Sequence, residues 1–181
     1  MVTWVLDAAR REFFANGEEE SFHKLRATLF RCVPDDEPTS NRKWLTVYSR
    51  SGPNHESNRR WEVVDENPEA CRGVASYIWC IGATKIVLPS ALWKADGSVE
   101  ERNMYAKATF LTPEDVESLE MKPAGFGGTV VAVGGDKWGV LLLDSAERER
   151  LKDTKGNSNA HTRLMERYAA LLGRMLKEGE T

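Results

Sequence analysis

The chain has 181 residues, 41% of them hydrophobic and 29% charged, with a formal net charge of -3. That length suits one domain hiding roughly 70% of its unfolded surface, and the charge argues against a global attraction to nucleic acid or acidic lipid. No segment approaches the ~20 apolar residues of a membrane span, so direct membrane insertion is not expected.

Residues 2–15 place Val2, Val5, Leu6, Ala9, Phe13 and Phe14 close to helical spacing, and Asn16-Gly17 is a natural stop. After the acidic run Glu18 to Glu20, residues 22–33 are rich in β-formers and predict a strand, ended by the loop at Pro34. Residues 43–49 predict a second strand, with Leu45 and Val47 on one side and Trp44, Thr46 and Tyr48 on the other. The polar stretch 51–60 reads as a loop or hairpin tip.

Asn67-Pro68-Glu69 has a helix-start signature: a capping side chain, a proline in the first turn and an acid near the positive dipole end. Cys71, Val74, Ala75, Ile78 and Trp79 then share a face, and Gly82 closes the helix. Ile86-Val87-Leu88 predicts a short strand stopped by Pro89. Ser98 with Glu101, and Thr112 with Asp115, fit the capping box or its Asp variant, which predicts helices over 99–110 and 113–121.

Residues 128–151 read GTVVAVGGDKWGVLLLDSAERERL, two apolar runs around the polar tip Gly134-Gly135-Asp136-Lys137. That is a hairpin. Val140 and Leu142 point to one face and Leu141 and Leu143 to the other, so the second strand must be covered above and below. His161 to Lys177 predicts a helix with a broad apolar stripe of Leu164, Met165, Tyr168, Leu171, Leu172, Met175 and Leu176. Strands joined by short turns imply an antiparallel sheet, with terminal helices as one cover and the middle helices as the other.

The stretch GVLLLDS, residues 139–145, resembles the closing hairpin of GAF domains, and GVASYIWCIG, residues 73–82, followed by Ile86-Val87-Leu88, resembles the helix, glycine and strand in the middle of that fold. The element order agrees across residues 2–178. The resemblance implies an α+β fold of the GAF/PAS-like, profilin-like kind: a central antiparallel sheet, terminal helices on one face, and short helices and loops over a small-molecule pocket on the other. It implies a single domain over 1–181, with the N-terminal helix at 2–16, sheet and pocket helices at 22–145 and the C-terminal helix at 160–178. Asp144-Ser145 would mark the strand's exit, its carboxylate tying down nearby backbone.

Catalytic chemistry finds little support. His23, His55 and His161 are scattered and carry no triad signature, no acids, histidines or cysteines show metal-ligand spacing, and the glycine groups at 124–128 and 133–135 lack a phosphate-loop pattern. Cys32, Cys71 and Cys80 form no CxxC and read as reduced, buried thiols of a cytoplasmic protein. The Asn-Lys-Phe-Asp-Glu motif of cyclic-nucleotide-binding GAF relatives is missing, as is the Cys-His pair of bilin-binding ones. Cys71 and Cys80 lack the neighbours found in the free methionine-(R)-sulfoxide reductases that share the fold. The resulting expectation is a non-catalytic sensory or regulatory domain, with two alternatives: such a reductase, or a purely structural dimerisation module.

Trp93, Arg102, Tyr105 and Phe110, with Trp79, form the candidate ligand site, an aromatic platform with cationic donors suited to a planar anion. The cofactor, if any, is not specified. The partner expected is a second copy, because the apolar stripes of both terminal helices exceed the ~100° needed to pack on a sheet.

Overall fold

The structure is a computed structural model, and it describes residues 1–13, 25–37, 39–52, 60–89, 97–119, 122–147 and 160–179. Its elements in chain order are α1 (Val2–Phe13), β1 (Leu25–Pro34), β2 (Lys43–Ser51), β3 (Trp61–Glu62), a 3-10 turn (Pro68–Ala70), α2 (Gly73–Ile81), β4 (Lys85–Val87), α3 (Val99–Thr109), α4 (Pro113–Glu117), β5 (Gly125–Val133), β6 (Asp136–Ser145) and α5 (Ala160–Gly179). Phe14 and the expected stop at Asn16-Gly17 lie outside the described residues, as do residues 22–24 and most of the 51–60 loop.

Among the described residues the strands form one sheet in the order β3-β2-β1-β6-β5-β4, antiparallel throughout. The β5–β6 hairpin turns on Gly134 and Gly135, whose φ angles of 65° and 102° suit glycine and strain other residues. Asp136 and Lys137, expected at the tip, already belong to β6.

The β6 strand is central, paired to β1 on one side and β5 on the other. Its two apolar faces have separate covers. Leu141 and Leu143 pack with Leu6, Phe13, Met165 and Leu172 of the terminal helices. Val140 and Leu142 pack with Val74, Ile78 and Trp79 of α2. All four side chains are buried, so the α+β arrangement with covers on both faces is as the pattern predicts. Side-chain ties fasten the first cover: Ser51 donates to Asp7 of α1 at 2.5 Å, and Tyr168 of α5 donates to Glu12 of α1 at 2.7 Å.

One expected helix is broken. Asn67 does cap, its Oδ1 accepting from the Glu69 amide at 3.1 Å, but it caps only the 3-10 turn. Cys71 is extended, with ψ 141°, and lies outside α2 although it is buried. The reason is tertiary: Gly73 has φ 81°, outside helical geometry, and its amide donates to the Phe110 carbonyl at 2.6 Å. The two capping boxes hold at Ser98 and Thr112. The second of these helices, expected to reach 121, ends at Glu117.

The covers approach the sheet where side chains are missing. A Cβ on Gly173 of α5 would stand 2.2 Å from the Ala132 carbonyl oxygen. Overpacking costs about 1–3 kcal/mol, and a backbone neighbour that cannot rotate away places this site at the upper end. Alanine returns about 1 kcal/mol of helix propensity. Gly173→Ala should therefore lose a net ~2 kcal/mol in a denaturation curve; an unchanged midpoint would mean that α5 shifts without cost.

Candidate functional site

The face of the sheet under α2 is mostly apolar, with Phe30, Leu45, Phe126, Val140 and Leu142 as its floor. Strand alternation carries the face along β1 from Phe30 to Thr28 and Arg26, and along β6 from Val140 and Leu142 to Asp144. Register sets Arg26 opposite Asp144, Thr28 opposite Leu142 and, from β2, Arg50 opposite Thr28. One end of an apolar floor is thus polar and charged.

At that end Arg26 Nε donates to Asp144 Oδ1 at 2.9 Å. The Asp144 residue is only 2% exposed, and burial pushes its carboxyl above the ordinary carboxylate range while Arg26 opposes the rise. Arg50 Nε donates to Thr28 Oγ1 at 3.0 Å. Burial lowers the Arg50 value, with the charge of Arg26 adding to the fall and Asp144 resisting it. Tyr105 of α3 is fully buried, its hydroxyl donating to the Pro123 carbonyl at 2.8 Å. Burial pushes that phenol well up, and nearby Asp144 adds to the rise.

The Asp144-Ser145 pair divides its work differently from the expectation. Ser145 is the backbone anchor: its Oγ donates to the Glu147 carbonyl and accepts from the Glu147 amide, both at 2.9 Å. Asp144 spends its carboxylate on a side chain instead, Arg26. A carboxylate buried this deeply is stable only beside a cation, and the strand register delivers one from β1.

The other candidates are placed as follows. Trp79 is buried on the α2 face, its Nε1 donating to Asp65 Oδ1 at 2.8 Å, with the Lys137 ammonium 5.5 Å from the ring centroid. Phe110 caps α3 with φ 58° and stacks on Tyr77, ring centroids 4.0 Å apart. Arg102 pairs with Glu117 of α4, and its buried Nε has no partner among the described residues. Trp93 lies outside the described residues. Trp79 and Phe110 therefore border the same apolar cluster, while Tyr105 packs with Ala106 and Val116 between α3 and α4.

Arg26, Thr28 and Arg50 were not among the candidates. A trace existed: in LRATLF the residues Arg26 and Thr28 fall on the same face as Phe30, polar positions interrupting a face that otherwise reads as core. Among the described residues no group of three or more His, Cys, Asp or Glu is placed to hold a metal, and no helix is long and apolar enough to cross a membrane. Burial pushes the Cys71 thiol up to about 11, and the neighbouring Cys80 thiol adds to the rise.

No family model and no curated protein matches this chain. Solved structures do. The free methionine-R-sulfoxide reductase of Neisseria meningitidis, in complex with its substrate, is 14% identical, with a TM-score of 0.50 covering 100% of this chain and 83% of that one. A GAF domain of A. aeolicus in an inactive state is 12% identical, with a TM-score of 0.49 over 98% of this chain and 96% of that one. The NreA protein of Staphylococcus aureus, mutated in its nitrate binding site, is 16% identical, with a TM-score of 0.47 over 86% and 91%. What is shared at such identities is the fold.

Proposed function

Starting from a chain of GAF-like fold, we propose that it is a non-catalytic sensory or regulatory domain that binds a small molecule on the α2/α3 face of its sheet. The observation that carries this is the charged end of an otherwise apolar floor. A face built only as core gains nothing from Arg26, Asp144 and Arg50, because apolar residues of similar volume are as stable or more so. Convergent polar groups beside an apolar floor are the usual make-up of a ligand site. In this reading Trp79 and Phe110 supply the wall and Arg102 the rim, Tyr105 braces them from between α3 and α4, and Trp93 is a further candidate contact.

A thermal-shift screen of small molecules, with mass spectrometry of the denatured protein, tests it. A stabilising ligand is expected, and Trp93→Ala combined with Arg102→Ala should abolish its shift. A silent screen with no released mass would sink the reading.

The likeness to the Neisseria reductase favours a second reading, an enzyme using Cys71 or Cys80. Against Cys71 in that role, its thiol, pushed up to about 11, keeps little thiolate at neutral pH, and the thiolate is the nucleophile. Incubation with free methionine sulfoxide and a dithiol reductant should give no turnover. Turnover lost in Cys71→Ser or Cys80→Ser would replace the sensory reading with the enzymatic one. The three cysteines are free thiols, which supports a reducing, cytoplasmic setting.

The same reading takes a second copy of the chain as partner, through α1 and α5. Trp4 is 72% exposed on the outer side of α1, and Leu164, Leu171 and Met175 of α5 are only half-buried. Two terminal helices with leftover apolar surface on one side of a sheet are covered together by a two-fold axis. Light scattering at micromolar concentration should give twice the chain mass, and Trp4→Glu should shift it toward the monomer. A parent protein that is monomeric throughout would overturn the dimer.

A further inference from the structure

Arg26 is aimed by a buried acid while its outer nitrogens remain unbonded. The Nε donates to Asp144 Oδ1 at 2.9 Å, and among the described residues Nη1 and Nη2 have no hydrogen-bond partner. The Asp144 side chain is 3% exposed and that of Arg26 is 16% exposed. The anchoring carboxylate is thus sealed in and the guanidinium has one edge left open. Fixing Nε removes most of the rotational freedom of the guanidinium, so its two Nη groups form a rigid planar fork. Next to the fork lies the edge of the apolar cluster, where Phe126 stands opposite Asp144 and Leu142 opposite Thr28, 8% and 7% exposed, and Arg50 brings a second guanidinium to the same end through its bond to Thr28.

We infer that the ligand of this face is a small organic acid, whose carboxylate lies against the Nη fork of Arg26 and whose apolar body lies against the cluster's edge at Phe126 and Leu142. A planar two-donor edge matches the two oxygens of a carboxylate, and the apolar edge at Phe126 and Leu142 has no use for a fully hydrated inorganic anion. The assignment rests on the small-molecule reading above and names the group that would select the ligand. That group is Arg26 rather than Arg102, which is engaged with Glu117.

Calorimetric titration of the full chain at low salt tests this with three probes: benzoate, benzamide of the same shape without the charge, and inorganic phosphate. Benzoate should bind at least tenfold more tightly than benzamide. Arg26→Gln combined with Asp144→Asn removes both charges together, leaves no lone buried charge, and should erase the preference while circular dichroism remains that of the parent. Arg26→Lys keeps the charge but loses the fork, and should weaken benzoate at least tenfold. Equal binding of benzoate and benzamide, unchanged benzoate affinity in the double variant, or phosphate binding more tightly than benzoate would each overturn the acid assignment. In those cases a ligand found in the thermal screen still leaves the small-molecule reading standing. Failure of all three probes also overturns the assignment, and only a silent screen takes the broader reading with it.

Discussion

Leu141→Ala should lower the stability of the protein by about 4 kcal/mol, read as a lower urea midpoint with an unchanged slope. Leu141 has no exposed surface and lies in the strand that pairs on both sides, beneath the terminal helices. Removing its branched end forfeits the transfer energy of the lost carbons and leaves a cavity. The pairing of β6 with β1 and β5 holds the backbone still, so little of that cavity can collapse. The effect therefore belongs near the top of the range for such substitutions. Leu142→Ala, on the opposite face and slightly exposed, should cost less. A Leu141→Ala loss under about 1 kcal/mol would show that α1 and α5 close onto the vacated space.

Arg26→Gln alone should cost about 3–5 kcal/mol at neutral pH, because it leaves the Asp144 carboxylate buried without its cation. The pH dependence identifies the cause. Burial already raises the folded-state value of Asp144, and Arg26 is the largest influence opposing that rise. Without Arg26 the folded value climbs further above the unfolded one. A group raised in this way binds its proton more tightly when folded, so the penalty is full above the folded value and shrinks as the pH falls through it. The gap between variant and parent should narrow on acidification from neutral toward about pH 4. Adding Asp144→Asn should restore most of the loss at neutral pH. A gap that stays constant or widens in acid, or a double variant as unstable as the single one, would show that the lone carboxylate is not the source.

The dissection of Asp144-Ser145 shows how far sequence reading reaches into the site. An acid and a hydroxyl at the end of a doubly apolar strand announce a junction, and Ser145 does anchor the chain at Glu147, two residues away. The partner of Asp144 is 118 positions away in Arg26. Two residues so far apart become neighbours only through the β1–β6 register, which depends on the packing of both covers. The misplaced start of α2 has a similar origin. Asn67, Pro68 and Glu69 satisfy the local rules for a helix, yet Gly73 takes φ 81° and bonds to Phe110.

What the sequence determined by itself was local or periodic: the capping boxes at Ser98 and Thr112, the Gly134-Gly135 hairpin, the amphipathic terminal helices, and the two-faced burial of residues 140–143. Such features repeat within a turn or every second residue, so a short stretch of chain carries their whole cause. Only the tertiary structure decided that β1 sits beside β6, that Gly173 lets α5 touch the Ala132 carbonyl, and that Arg26 is held by Asp144 with its fork open. These follow from the mutual fit of distant surfaces, where each residue type alone is compatible with many neighbours and the choice is made by register and close packing.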